Sequence, residues 1–347
     1  MRNDDEISED GRNENDNKYC DLHEAAANGD WGKAEEIFKG NPEYVGDKHL
    51  DVRDATLQAA VLAGHSDFVE KLLRSSYMKK EDLERNIGGV NTAFSLAAML
   101  GNIEVVLMML EKNEDLVNIR NVRGRLPVQI AASLGDEKMV KCLYIPTRDH
   151  FNDEDRILLL LTLIDNDIYD FALSMVEEFP SLAVSRKKVE KTVISSNIVE
   201  KKRMDPEGRK LLEVLWEKIV NQLDYNQISD LISKPSTLIS DAAKEGNFEF
   251  ISILVSKQPN AMLNVDENGY TLFHTAVEYR HEKIFELIYE KPSIKNVIVT
   301  LKVGEEENTM LHLAAKLPPD QNRLKGISGA ARQMHRETLW FKVNLYN

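Results

Sequence analysis

Small and apolar residues recur in a two-part pattern that is clearest from Asp54 to Leu73. Ala59, Ala60 and Ala63 make a patch of small side chains, which lets one short helix lie close against another. Gly64 follows, where a left-handed backbone can end that helix without a Cβ clash. Phe68, Val69, Leu72 and Leu73 then fall at i, i+1, i+4 and i+5, one apolar face of a second helix. A single pair of this kind cannot bury its apolar face, so the pattern predicts stacking on copies of itself.

The copies are in the chain. Leu22 to Asp30 is followed by a second helix from Trp31 to Phe38, with Asp30 placed to cap it. Thr92 to Asn102 and Leu126 to Asp136 open the next two. The corresponding alanines Ala25, Ala60, Ala97 and Ala131 stand 35, 37 and 34 residues apart. A degenerate fifth pair runs from Ile157 to Val176, with Asn166 in the place of the helix-ending glycine. The period returns at Leu238–Asn247, Tyr270–His281 and Asn308–Ala315. These stretches resemble the ankyrin repeat, whose pattern is Thr-Pro-Leu-His-x-Ala-Ala-x-x-Gly-His. The expected fold class is all-α, an ankyrin-repeat solenoid interrupted by a helical insert. The expected divisions are a disordered acidic N-terminus (1–18), ankyrin repeats, four clear and a fifth degenerate (19–183), a basic insert and helical segment (184–237), a second repeat block (238–325) and a C-terminal helical tail (326–347).

Charge and composition narrow the function. A formal charge of −14 argues against general nucleic-acid binding, which needs cations to displace phosphate counterions. Cys20 and Cys142 are the two cysteines, with no Cys-x-x-Cys pair, and suit a reducing compartment. The N-terminus has no apolar signal core. The apolar run Ile157–Ile164 is far shorter than the roughly 20 residues that cross a bilayer. The chain as given is therefore expected to be cytoplasmic and without a transmembrane span. It carries no phosphate-loop, dinucleotide or Gly-x-Ser-x-Gly motif and no Asp-His-His-Cys tetrad, so neither an enzyme nor a cofactor is expected.

The histidines are the tempting chemistry. His23, His274 and His312 share one slot of the repeat, which Gln58, Ser95, Gln129 and Ser240 fill elsewhere. A general base could not be exchanged for Gln or Ser, so the slot is expected to hydrogen-bond the turn before the helix. Gly29, Gly64, Gly101, Gly135 and Gly246 are expected to be structural in the same sense. Trp31, Trp216 and Trp340, each among aliphatic neighbours, are expected in the core. Partner contacts are expected at hairpin tips: Arg123 and Arg125 around Gly124, Asn268 and Tyr270 around Gly269. The basic stretch 186–203 could touch anionic lipid. Glu190 and Glu200 dilute its charge and no aromatic lies among its cations, which favours a solvated insert.

The second half carries a more specific resemblance. Asp266–Val277, Arg280–Phe285, Asn308–Ala314, Ser328–Met334 and Leu339–Val343 resemble the plant ankyrin-repeat membrane proteins with a carboxy-terminal domain named for its Pro-Gly-Gly motif. The resemblance spans roughly residues 20 to 343. It implies a cytosolic repeat region that binds other proteins through its concave face and tips. In full-length relatives several transmembrane helices follow, at the plasma membrane, with roles in defence, cell-death control and salt or hormone signalling. Here the sequence ends at Asn347, before that membrane domain. Two functions are expected: a non-enzymatic interaction scaffold in plant defence or stress signalling, or the cytosolic region or truncated form of a multi-pass signalling or transport-linked protein.

Overall fold

Each small-residue patch forms a short helix and each following apolar stretch a second one. The computed structural model describes residues 19–45, 50–85, 91–185, 206–233, 238–266, 268–319 and 330–346. The N-terminal stretch 1–18 and the basic stretch 186–203 lie outside the described residues. The chain divides into two units, Met1–Thr162 and Leu163–Asn347. Among the described residues the only β-structure is two isolated bridges, Val265–Thr271 and Val303–Asn308.

In the first unit the pairs are α1 (residues 19–27) with α2 (Trp31–Gly40), α3 (Leu50–Ala63) with α4 (Ser66–Arg74), α5 (Ala93–Met99) with α6 (Ile103–Lys112), and α7 (Pro127–Ser133) with α8 (Glu137–Thr147). First helices stack in one row, α3 on α5 and α5 on α7, and second helices in another, α4 on α6. The approach is close because Ala60, Ala97, Ala98, Ala131 and Ala132 are fully buried. Between the helices of a pair, Gly29, Gly64, Gly101 and Gly135 take φ between 71° and 77°. The next amide then reaches back five residues to the periodic alanine: Asp30 N–H to the Ala25 carbonyl at 2.8 Å, His65 to Ala60 at 3.0 Å, Asn102 to Ala97 at 3.1 Å and Asp136 to Ala131 at 3.2 Å. Asp30, Asn102 and Asp136 go on to cap the second helices, accepting from the amides of Lys33, Val105 and Met139.

A buried ion pair braces the start of this unit. Arg53 is wholly buried and donates through Nε and Nη2 to Asp82, at 3.1 and 2.9 Å. Its Nη1 donates to the Tyr44 carbonyl at 2.7 Å, and Asp82 also accepts from the Lys79 amide.

The helix α9 (Asp153–Asp165) carries the chain from the first unit into the second, where α10 (Tyr169–Glu178) follows. The bend corrects the sequence expectation. Asp167, not Asn166, has the positive φ of 62°. The Ile168 amide closes the five-residue bond onto the Leu163 carbonyl at 2.9 Å, which fixes the register one residue later. Next come α11 (Pro206–Gln222), α12 (Tyr225–Ser233), α13 (Leu238–Glu245), α14 (Phe248–Lys257), α15 (Leu272–Glu278), α16 (Glu282–Glu286), α17 (Pro292–Thr300), α18 (Met310–Ala315) and α19 (Ala330–Tyr346). The helix α11 packs on α10 on one side and on α14 on the other, taking a place in the second-helix row. Its Leu211, Leu215, Trp216 and Ile219 supply the buried face. First helices again stack, α13 on α15 and α15 on α18, and α19 lies on α18. Of the three tryptophans only Trp216 is in the core. Trp31 and Trp340 are half-buried, Trp31 lying edge-on to Phe68 at 5.4 Å.

Candidate functional site

The shared slot on the first helices does different things according to the residue three places before it. At Thr92, Thr271 and Thr309 the two form a cap. Thr271 Oγ1 lies 2.8 Å and Thr309 Oγ1 2.9 Å from Nδ1 of His274 and His312, and the Thr309 amide donates to the same ring nitrogen at 3.1 Å. Thr92 caps the Ser95 amide at 3.1 Å. Gln129 reproduces the contact with its amide oxygen, accepting from the Leu126 amide at 3.0 Å. Ala55 precedes Gln58 and offers no cap; α3 starts at Leu50, six residues before the equivalent of the α5 start, and Gln58 donates to Asp54 instead. Cys20 precedes His23, and His23 departs from the expectation: it is exposed within α1 rather than set at a turn. His274 is fully buried. Burial lowers its pKa from 6.5 to about 4, against a smaller opposing effect of the Leu301 backbone, so the ring is neutral.

The histidines that follow the bends do a second job. His65 Nε2 meets the Ala27 carbonyl of the preceding repeat at 2.9 Å, and His281 Nε2 meets that of Lys244 at 2.8 Å. Each ring lies over the previous repeat's bend. A Cβ on Gly29 would come within 2.8 Å of His65, and one on Gly246, itself at φ 79°, within 2.0 Å of His281. The Gly-His pair in the sequence held this signal, but the partners sit in different repeats.

The four tip residues occupy two copies of one device. Asn121 Oδ1 accepts from the amides of Arg123 and Arg125, both at 3.0 Å, and its carbonyl accepts from Gly124 at 2.8 Å. Asp266 Oδ1 likewise accepts from Asn268 and Tyr270, both at 2.9 Å, and its carbonyl from Gly269 at 2.9 Å. Gly124 and Gly269 have φ of 72° and 76°. A short polar side chain thus ties down the backbone of each tip and leaves the displayed side chains free of that task. Arg123 and Asn268 are exposed, Arg125 and Tyr270 half-buried.

What lies beside the two tips differs. In the first unit Arg120 grips Asp155 with two bonds, at 2.8 and 2.7 Å, and donates to the Gly124 carbonyl at 3.0 Å. Burial of Asp155 is outweighed by the Arg120 bonds, the Asn152 amide and Gln129, and its carboxyl is held below the usual carboxylate range. In the second unit the tip borders a cleft of about 510 Å³, whose lining includes Lys244, Asp266, Asn268, Tyr270, Glu278 and Lys316. Burial pushes the Glu278 carboxyl and the Tyr270 phenol up. Among the described residues no group of three or more His, Cys, Asp or Glu side chains is close enough to hold a metal ion.

The family model for ankyrin repeats, three copies, matches residues 56–155 and 209–300, more than half of the sequence. The chain belongs to the ankyrin-repeat family. No curated protein matches it closely enough to serve as a relative. The first matched stretch takes in the ankyrin pairs α3 to α8. The second begins in α11, so the segment after the basic stretch is itself repeat-like. The pair α1 and α2 lies outside both and repeats the same bend geometry, with Gly29 at φ 72° and the Ala25 carbonyl accepting from Asp30. Ankyrin repeats of this kind support a protein–protein interaction scaffold.

Proposed function

We propose that this protein is a non-enzymatic scaffold that selects protein partners through the tips of its ankyrin hairpins and the exposed ends of its first helices. One observation carries the reading. Two tips with the same backbone bonding, at Asn121 and Asp266, display unlike side chains: two arginines on one, Asn268 and Tyr270 on the other. A constant frame with variable display is what partner selection requires.

The setting we infer is plant defence or stress signalling, within the family named for its Pro-Gly-Gly domain. This rests on the likeness of Asp266–Val277, Arg280–Phe285 and Asn308–Ala314 to that family. The second reading, a cytosolic region of a multi-pass plasma-membrane protein, rests on the same likeness. No helix among the described residues is long and apolar enough to cross a membrane. The test is quantitative capture from plant cell extract, with and without salt or elicitor treatment, by the immobilised full chain. The comparison is a variant with Arg123, Arg125, Asn268 and Tyr270 all changed to Ala. Proteins retained by the native chain and lost with the variant are the expected result. Identical captured sets would sink the reading. Treatment-dependent capture would support the stress setting, and its absence would count against it.

A further inference from the structure

We propose that the first unit receives an acidic amphipathic segment of a partner protein, with Leu62, Met99, Leu100 and Leu134 as an apolar floor and Arg123 and Arg125 as a cationic edge. This rests on the scaffold reading above and adds the chemistry of the partner. The four floor residues are 59%, 39%, 53% and 54% exposed. All stand one or two places before the helix-ending glycine of consecutive repeats: Gly64, Gly101 and Gly135. Stacked first helices, roughly 8–10 Å apart, therefore place them on neighbouring helices at one end of the row, in two adjacent registers.

The row is not a requirement of the repeat. The equivalent positions in the second unit hold Lys244 and Glu245 before Gly246, and Glu278 and Tyr279 before Arg280. Although 29% of the chain is charged, no ionisable residue occurs in Leu57–Ala63, Ala93–Leu100 or Pro127–Leu134. Removing charge from three successive helix ends, while leaving large apolar side chains exposed there, is the composition of a binding surface rather than of a solvated one.

The edge is joined to the floor through side chains. Asn121, which fixes the arginine tip, donates from Nδ2 to Asn91 Oδ1 at 3.1 Å, and Asn91 donates to the Met99 sulfur at 3.3 Å. Among the described residues neither Arg123 nor Arg125 forms an ion pair with an acid, in a protein of formal charge −14. Guanidinium groups recognise carboxylates through paired N–H donors. Apolar anchors at helical spacing with flanking Asp or Glu match both parts, whereas a basic segment would meet like charge.

The experiment selects a random-peptide display library against the purified full chain. Enriched peptides are then made synthetically and titrated against the native chain, L100S/L134S and R123E/R125E. The expected winners combine acidic residues with apolar residues at i, i+3 and i+4. Each double variant should weaken them by about tenfold or more, with unchanged helix content by circular dichroism. Enriched peptides that are basic, that lack apolar anchors, or that bind both variants as well as the native chain would overturn the proposal and leave the scaffold reading standing. Failure to enrich any peptide would count against both. Sedimentation showing self-association abolished by L100S/L134S would give the row to a second copy instead, and would also overturn it.

Discussion

Arg280 holds Glu337 through both Nε and Nη2, at 3.1 and 2.7 Å, and so ties the bend after α15 to the terminal helix α19. It does this from a φ of 63°, at the bend where Gly29, Gly64, Gly101, Gly135 and Gly246 stand in other repeats. The same guanidinium donates to the carbonyls of Val277, Ala314 and Lys316 and lies 5.6 Å from the Trp340 ring. One side chain therefore caps the ends of α15 and α18 and docks α19. The backbone cost, about 1–2 kcal/mol for a left-handed non-glycine residue, is offset by these bonds.

Glu337→Ala should free α19 before it destabilises the rest. The expected result is faster amide hydrogen exchange across residues 330–346, with little change in α13 to α15. Exchange raised equally throughout the second unit would show that α19 is integral to its stability. Arg280→Gly should free α19 as well, while relieving the backbone at the bend.

Asp82→Ala should be among the most costly single changes in the first unit. It strands the Arg53 guanidinium, which is wholly buried, and a loss of about 3–5 kcal/mol in urea unfolding is expected. The double change Arg53→Met with Asp82→Leu should recover most of it, because neither buried charge then remains. A double variant as unstable as the single one would mean that the Tyr44 and Lys79 bonds carry the effect.

The bends should respond unequally to alanine. Gly64→Ala meets no atom within 4 Å and should cost only the left-handed penalty of about 1–2 kcal/mol. Gly246→Ala adds a clash with the His281 ring, which would have to leave the Lys244 carbonyl. Its melting temperature should fall further, and His281→Ala in the same chain should return part of the difference. Equal losses at the two glycines would remove the ring from the account.

His274 predicts a pH dependence. Its folded pKa, about 4, lies below the ordinary 6.5, so the unfolded chain binds the extra proton between those values. Stability from this site is present in full above pH 6.5 and falls as pH is lowered toward 4, by roughly 2–4 kcal/mol in all. His274→Gln should flatten that part of the curve and, because the slot is structural, leave partner binding within a few-fold. Asp155 acts at lower pH. Its depressed carboxyl contributes stability above the ordinary Asp value of about 4, lost as pH falls through its folded value, and Asp155→Asn should remove that component.

The helix pairs were legible because each is written within about a dozen residues: alanines, a bend residue, then a paired apolar face. Even the early start of α3 had a local cue, since Ala55 stands where a capping Thr would end the helix. What escaped sequence reading joins residues about a repeat or more apart. Arg53 and Asp82 are 29 positions apart, His65 and Ala27 are 38, Arg280 and Glu337 are 57. No local pattern marks such pairs. An arginine in a glycine's place looks like plain degeneration until its carbonyl partners are seen, and Asp167 displaced Asn166 because either short polar residue suits the bend. The tip residues were legible as positions, from their glycines. The apolar row was not, because each of its members alone looks like an ordinary helix residue.

The bond from His65 to the Ala27 carbonyl also sets how the molecule would carry a pull. It spans one repeat and no more, as do Asn102 to Ser66 and Gln129 to Asp155. Tension applied along such a chain is passed from link to neighbouring link. Stretched from its ends, it should yield in separate steps of about 33 residues, each step releasing one helix pair while those beyond it still hold.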